Sequence, residues 1–326
     1  MIKRTLYFGN PAYLSLKSKQ LVIKLPDAKG DMPDFGIPDS FTVLKTIPLE
    51  DIGVVIIDHQ QITLTQGLIA SLLENNCAVI TCDTKHMPTG MLLPLAGNTV
   101  QNERFRRQMD ASLPLRKQLW QQTIIQKIRN QAAVLEYTTG DKHKNMSVWA
   151  DSVKSGDSDN MEARAAAYYW KNLFPENPGF IRGQEEDDPN ALLNYGYAIL
   201  RAIVARALVG SGLLPTIGIH HHNRYDAYCL ADDIMEPYRP YVDKMVYEIV
   251  LQGYGTELTK DIKQKLLSLS TCEVHIDGQR RPLMLAVNQT TASLVKCFSG
   301  ELRKITYPVI ATESMCHLQR NELCQS

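Results

Sequence analysis

Apolar and polar side chains alternate along AYLSLKSKQLVIKLP, residues 12 to 26, which predicts two strands around a polar turn near residues 17 to 19. TVLKTIPL, VVIID and CAVITCD read as further strands, each bounded by polar residues or by Pro and Gly. Between them the period changes. In TLTQGLIASLLENN, Leu68, Ile69, Leu72 and Leu73 share one helical face, and Thr65 stands where an N-cap belongs. The pattern predicts a small β-rich, sandwich-like domain over residues 1–90, with one helix.

HMPTGMLLPLAGN breaks the periodicity, and residues 91–103 are read as a linker. Beyond it the 3.6-residue period takes over. LRKQLWQQTIIQKIRNQAAVLEY places Leu115, Leu119, Ile124, Ile128 and Leu135 near one stripe, and NALLNYGYAILRAIVARALVGSG, RPYVDKMVYEIVLQ and TKDIKQKLLSL continue the helical pattern. SVKSGDSDN and RGQEEDDPN read as acidic loops around a helix that begins near Met161. The expected class is α+β, with residues 104–326 as a larger all-α catalytic domain.

A chain of 326 residues also exceeds the ~250 at which single cores stop growing, in keeping with two domains. With 44% hydrophobic and 21% charged residues it is expected to pack a sizeable core. No uninterrupted apolar run reaches the ~18 residues of a membrane span, and MIKRTLYFGN lacks the features of a signal peptide, so a cytoplasmic protein without a membrane partner is expected. The seven cysteines are scattered without a C-x-x-C pair, which disfavours a zinc knuckle or a disulfide framework. Formal net charge is zero, yet residues 101–150 carry nine Lys and Arg, Lys127 among them, against four acids. That surplus is a candidate phosphate-attracting surface.

The candidate chemistry lies in GIHHHNRYDAYCLADDIMEPYRP. Asp233 and Glu236 stand at i, i+3, so a helix would point both carboxylates off one face. Two close carboxylates call for a cation, and an imidazole from the preceding HHH would complete a mixed nitrogen and oxygen site suited to Mn²⁺ or Mg²⁺. Consecutive histidines diverge, so at most one or two of the three serve. A solvated acidic face paired with Arg239 is the alternative.

GLLPTIGIHHHNRYDAYCLADDIMEPYRPYVD resembles the metal-site segment of the CRISPR spacer-acquisition integrase, the universal adaptation nuclease Cas-one (Cas1). The family pattern is G-hydrophobic-x-H followed by a D-hydrophobic-x-E-x-x-R-P helix. It implies His221 and Glu236 as metal ligands and Asp233 as a supporting acid. MEARAAAYYWKNLF resembles the family helix that carries the remaining ligand, which implies Glu162; Ala163 and Ala167 depart from the usual Gly and basic residue. NALLNYGYAILRAIVARALVGSGLLP resembles the long helix ahead of the histidine, and KIRNQAAVL a helix of the form that accompanies the single-protein effector Cas-nine. The resemblance spans essentially the whole chain.

It implies a metal-dependent DNA endonuclease and integrase, with Glu162, His221 and Glu236 holding Mg²⁺ or Mn²⁺ and a DNA 3′ hydroxyl attacking a phosphodiester in the repeat array. It also implies double-stranded DNA as partner, a homodimer formed through the β-rich domains, and a small ferredoxin-like adaptation partner, Cas-two (Cas2). Arg164, Tyr169, Arg201, Arg224 and Arg239 are the candidate DNA contacts. The rival readings are a metallophosphoesterase of a small ester and a noncatalytic DNA-binding scaffold.

Overall fold

The computed structural model describes residues 3–26, 41–177, 179–183 and 189–311. The chain divides into two compact units, Met1–Thr99 and Val100–Ser326.

The first unit contains, among its described residues, strands β1 (Arg4–Phe8), β2 (Ala12–Lys17), β3 (Gln20–Pro26), β4 (Phe41–Pro48), β5 (Ile52–Ile57), β6 (Ile62–Leu64), β7 (Ala78–Cys82) and β8 (Pro88–Leu92), with helix α1 (Gln66–Glu74). They form two four-stranded sheets, ordered β1-β5-β7-β8 and β4-β3-β2-β6. The expected turn between β2 and β3 is a two-residue hairpin in which Ser18 and Lys19 have φ of 49° and 59°. Positive φ at both positions matches the twist of the flanking strands. Leu14, Leu21, Ile23 and Ile47 of one sheet join Ile52, Val55 and Val79 of the other, and Leu68 and Leu72 of α1, in one buried core. Thr65 takes the N-cap position of α1, although its side chain makes no cap hydrogen bond.

Three strands of this unit, β1, β6 and β8, lie outside the sequence-based pattern. β8 falls in the Pro- and Gly-containing stretch that reads as a break. It is an edge strand, antiparallel to β7, where a proline interrupts few ladder bonds. A Cβ on Gly90 would stand 2.6 Å from Thr81 Oγ1 across that pair, so glycine is what lets the strands close.

The second unit contains α2 (Gln101–Met109), α3 (Leu113–Thr139), α4 (Lys144–Asp151), α5 (Met161–Leu173), α6 (Asn190–Gly210), α7 (Cys229–Met235), α8 (Arg239–Leu251), α9 (Lys260–Leu267) and α10 (Leu283–Phe298). It is not wholly helical: β9 (Glu273–Ile276) and β10 (Gln279–Pro282) form an antiparallel hairpin between α9 and α10. α6 is long and apolar enough to cross a membrane by length and composition, but most of it is buried inside the unit as a core helix.

α3 runs through the middle of this unit. Ser112 Oγ accepts from Leu115 N at 3.4 Å at its start, Pro114 occupies the first turn, and Gly140 ends it with φ of 76°. The apolar stripe is present in Leu119, Ile124, Ile128 and Leu135, yet Trp120, Thr123, Lys127, Asn130 and Gln131 are buried as well. A helix buried this far round must satisfy its polar side chains inside the protein. Three of these side chains, Trp120, Lys127 and Asn130, reach the site.

Candidate metal centre

α5 brings Glu162. Its N-terminus is tied down by Asp157, whose carboxylate accepts from Met161 N at 2.9 Å and Glu162 N at 3.0 Å, a negative charge where the helix dipole favours one. Glu162 then meets the Lys127 ammonium of α3 at 2.6 Å.

Glu236 lies at the end of α7, in the single 3₁₀ turn 236–238 that leads into α8. Asn130 of α3 pins this turn by donating to Pro237 O at 2.7 Å. Glu236 Oε1 accepts from Arg239 Nε at 2.8 Å, and Oε2 lies 2.5 Å from the same Lys127 ammonium. Burial pushes the Glu236 carboxyl up, but Arg239 and Lys127 outweigh it and hold it at about 2. Burial likewise opposes charge on Lys127, and the two glutamates overcome it and raise the ammonium above its ordinary range. One cation therefore already sits between the two acids.

After Met235 the helix tightens into the 3₁₀ turn with right-handed backbone throughout, and Asp233 and Glu236, which the i, i+3 spacing predicts on one face, take different partners. Asp233 is fully buried and turns back to the loop before α7. It accepts from the backbone N–H groups of Ile219 at 2.7 Å, His220 at 2.9 Å and His221 at 3.3 Å, and from His221 Nδ1 at 2.5 Å. Such a close approach of the loop requires a residue without a Cβ at Gly218. A Cβ there would collide with His221 O and lie 2.8 Å from Asp233 Oδ2. α2 holds the same loop from outside, since Gln108 donates to Leu214 O and Ile217 O, both at 2.9 Å, and accepts from Leu214 N at 2.8 Å.

The hydrogen bond it donates to Asp233 raises the His221 imidazole, burial opposes it, and Asp233, Glu236 and Glu162 add to the rise by their charge. With Nδ1 engaged by Asp233, Nε2 is the nitrogen left for a ligand, which is how carboxylates commonly orient metal-binding histidines. His220 plays another part: its ring stacks on Trp120 at 4.2 Å, nearly parallel, while His221 meets the same indole edge-on at 5.4 Å. His222 is exposed.

The donor set suits a divalent ion, with two carboxylates and an imidazole of fixed orientation. Glu236 Oε2 is a buried carboxylate oxygen whose close neighbour is the Lys127 ammonium, a cation where a metal ligand would need one. Among the described residues, no three His, Cys, Asp or Glu side chains are drawn to one point. The ammonium occupies the space between the acids instead.

The candidate DNA contacts divide. Arg164 is exposed and lies over the Trp149 ring at 5.0 Å, and Arg224 is exposed beside Tyr225. Arg201 forms a two-pronged pair with Asp232 at 2.6 and 2.9 Å. Arg239 faces Glu236 and the Tyr197 ring, so its guanidinium is spent on the interior. Tyr169 is buried completely and donates to Asp243 Oδ2 at 2.9 Å, which removes it from any surface. Lys127, counted in the basic surplus, is likewise internal. Sequence reasoning gives no role to Trp120 and Asn130 and reads Lys127 only as part of a basic surface; their one signal is polar or bulky residues at i, i+7 and i+10 within an apolar stripe.

The fold is that of a β-rich unit followed by a helical unit that gathers acids and histidine around α3. Residues 6–272 match the family model described as CRISPR associated protein Cas1. The chain is 38% identical over 295 residues to the CRISPR-associated endonuclease Cas1 of Neisseria meningitidis serogroup C (strain 8013), covering 90% of this chain and 91% of that one. It belongs to the Cas1 family. Among solved structures it resembles a casposase bound to integration product, with a TM-score of 0.74 at 20% identity over 94% of this chain and 92% of the other. A chain of a Cas6-RT-Cas1–Cas2 complex aligns with a TM-score of 0.71 at 19% identity, covering 93% of this chain and 35% of that one.

Proposed function

We propose that this Cas1-family chain is a metal-dependent DNA endonuclease and integrase of CRISPR adaptation, joining short DNA fragments to a repeat array by attack of a 3′ hydroxyl on a phosphodiester. The observation that carries the reading is the pair Glu162 and Glu236, brought from separate helices to a single cation, beside His221 with its Nδ1 held by Asp233. Endonuclease activity is the named property of the 38%-identical relative, and integration that of the casposase structure, which supports the assignment.

Glu162, Glu236 and His221 Nε2 would hold Mg²⁺ or Mn²⁺. When bound, such an ion draws charge from a phosphodiester and its leaving oxygen. The chain's own residues do the arranging. Asp233 fixes the imidazole, Arg239 holds Glu236 in place, Asp157 anchors the helix that presents Glu162, and Arg164 and Arg224 offer exposed cations to the backbone of double-stranded DNA. Two further parts complete the proposed assembly: a homodimer through the β-rich unit, and the small partner Cas2, a component named in the Cas6-RT-Cas1–Cas2 complex, one chain of which this chain resembles in part.

The test is strand joining of a labelled duplex to a repeat-containing target in Mn²⁺ or EDTA. Joining is expected with Mn²⁺, and lost in EDTA and in E162Q, H221A and E236Q. Undiminished joining in EDTA, or in E162Q, overturns the reading.

A further inference from the structure

We propose that Lys127 is a tethered counter-cation: its ammonium holds Glu162 and Glu236 together in the metal-free protein, competes with the divalent ion for them, and on displacement supplies positive charge to the phosphodiester. The inference rests on the metal reading above and deepens it.

The placement is the first ground. Lys127 is 8% exposed, and its neighbours along α3, Ile124 and Ile128, are fully buried, so the charge sits on an apolar stem that extends from the core to the two acids. An ammonium left alone there would be costly, and so would two facing carboxylates; together they are tolerable. The second ground is the shared contact. Lys127 spans two glutamates rather than joining one, 2.6 Å from Glu162 Oε1 and 2.5 Å from Glu236 Oε2. Arg239 meets the other oxygen of Glu236 at 2.8 Å, so that acid keeps a cationic partner when Lys127 withdraws. A lysine, a point charge on a flexible chain, can withdraw where a planar guanidinium is fixed by its fork.

The third ground is charge balance. Three carboxylates, Glu162, Glu236 and Asp233, face two cations, Lys127 and Arg239, so these five side chains leave one negative charge beside His221. A divalent ion reverses this to one positive charge. A phosphodiester monoanion then cancels it. The site is balanced when metal and DNA are both present, provided that Lys127 stays nearby, so the lysine links the two binding events.

The experiment is calorimetric titration of Mn²⁺ into the full chain, as wild type, K127M, K127R and E162Q, with and without a short DNA duplex, alongside thermal melting in EDTA. Without DNA, K127M is expected to bind Mn²⁺ roughly tenfold more tightly than wild type, the scale of one lost charge-assisted contact. K127R, which keeps the charge, binds no tighter than wild type. In EDTA K127M melts earlier than wild type, and Mn²⁺ restores it. DNA raises Mn²⁺ affinity in wild type, and less in K127M.

Unchanged or weaker Mn²⁺ binding by folded K127M, or an equal DNA effect in both proteins, overturns the proposal. If K127M does not fold in EDTA, K127Q takes its place. Refolding of either by Mn²⁺ supports the proposal, and failure of both to fold with Mn²⁺ present overturns it. E162Q separates the two readings. Mn²⁺ affinity equal to wild type in E162Q removes the metal site itself, whereas loss in E162Q without a gain in K127M removes only the role of Lys127.

Discussion

His221 Nδ1 lies 2.5 Å from Asp233 Oδ1, and the other Asp233 oxygen gathers two backbone N–H groups of the loop that carries the histidine. One buried carboxylate thus sets both the loop and the ring. Asp233→Asn replaces an acceptor by a donor facing N–H groups or the imidazole. Mn²⁺ affinity is expected to fall about ten- to a hundredfold, as for other residues that orient a ligand. Titration of the folded variant checks this, and unchanged affinity would show that the ring needs no such support.

The three histidines should differ in kind as well as degree. His221→Ala removes a proposed ligand and is expected to abolish joining while duplex binding persists. His220→Ala removes the ring stacked on Trp120 and should cost about 0.5–1.5 kcal/mol of stability, seen as a lowered Tm. His222→Ala should change neither property. Equal losses in joining for all three would place the ligand elsewhere in the run.

Gly218→Ala tests the loop itself. The added methyl would collide with His221 O and stand 2.8 Å from Asp233 Oδ2, and neither atom has room to retreat without breaking the hydrogen bonds described. Joining should be lost at a Mn²⁺ concentration that saturates wild type. Full activity would mean that the loop adopts another path.

Much of this was legible from spacing. The β2–β3 hairpin, α1 and the long α3 follow from alternation and from the 3.6-residue period, because in each the apolar face is the buried face. Edge strand β8 was hidden because Pro88 and Gly90 signal a break in isolation, whereas at a sheet edge they cost little. The candidate acids and histidine were recognisable as a motif, but Lys127 was not. A lysine in an amphipathic helix normally reads as solvated, and its partners, Glu162 and Glu236, are distant along the chain. Tyr169, offered among the candidate DNA contacts, is internal because its hydroxyl is used by a buried acid 74 residues further along the chain.

That acid gives a contrast. Tyr169→Phe leaves one oxygen of Asp243 short of a donor inside the protein, which should cost about 1–3 kcal/mol and leave DNA affinity unchanged. Arg164→Ala and Arg224→Ala should behave inversely, weakening duplex binding and reducing its salt slope by roughly one unit each, with little change in Tm. Binding isotherms at several salt concentrations separate the two groups.

Asp243 also predicts a pH dependence. It accepts from Tyr169 of α5 and Tyr197 of α6, with Arg239 and Arg182 nearby, and burial outweighs all of them and pushes its carboxyl up to about 7. The folded state holds the proton more tightly than the unfolded chain, so this contribution is greatest below the ordinary carboxylate range and is lost as pH rises towards 7. Asp243→Asn, which cannot ionise, should lack that decline. Melting curves from pH 4.5 to 8 are expected to show wild type losing ground to the variant over this window, and parallel curves would contradict it.

Trp120, Lys127 and Asn130 ride on one uninterrupted helix, Lys127 about two turns beyond Trp120 and Asn130 nearly one turn further, and each touches a different piece of the site. Their mutual spacing is therefore a property of helical pitch, indifferent to how the surrounding loops breathe. A small slide of the rod carries all three together and preserves the pattern. Inserting a single residue between positions 120 and 127 would rotate one end against the other by about 100° and dismantle it at a stroke.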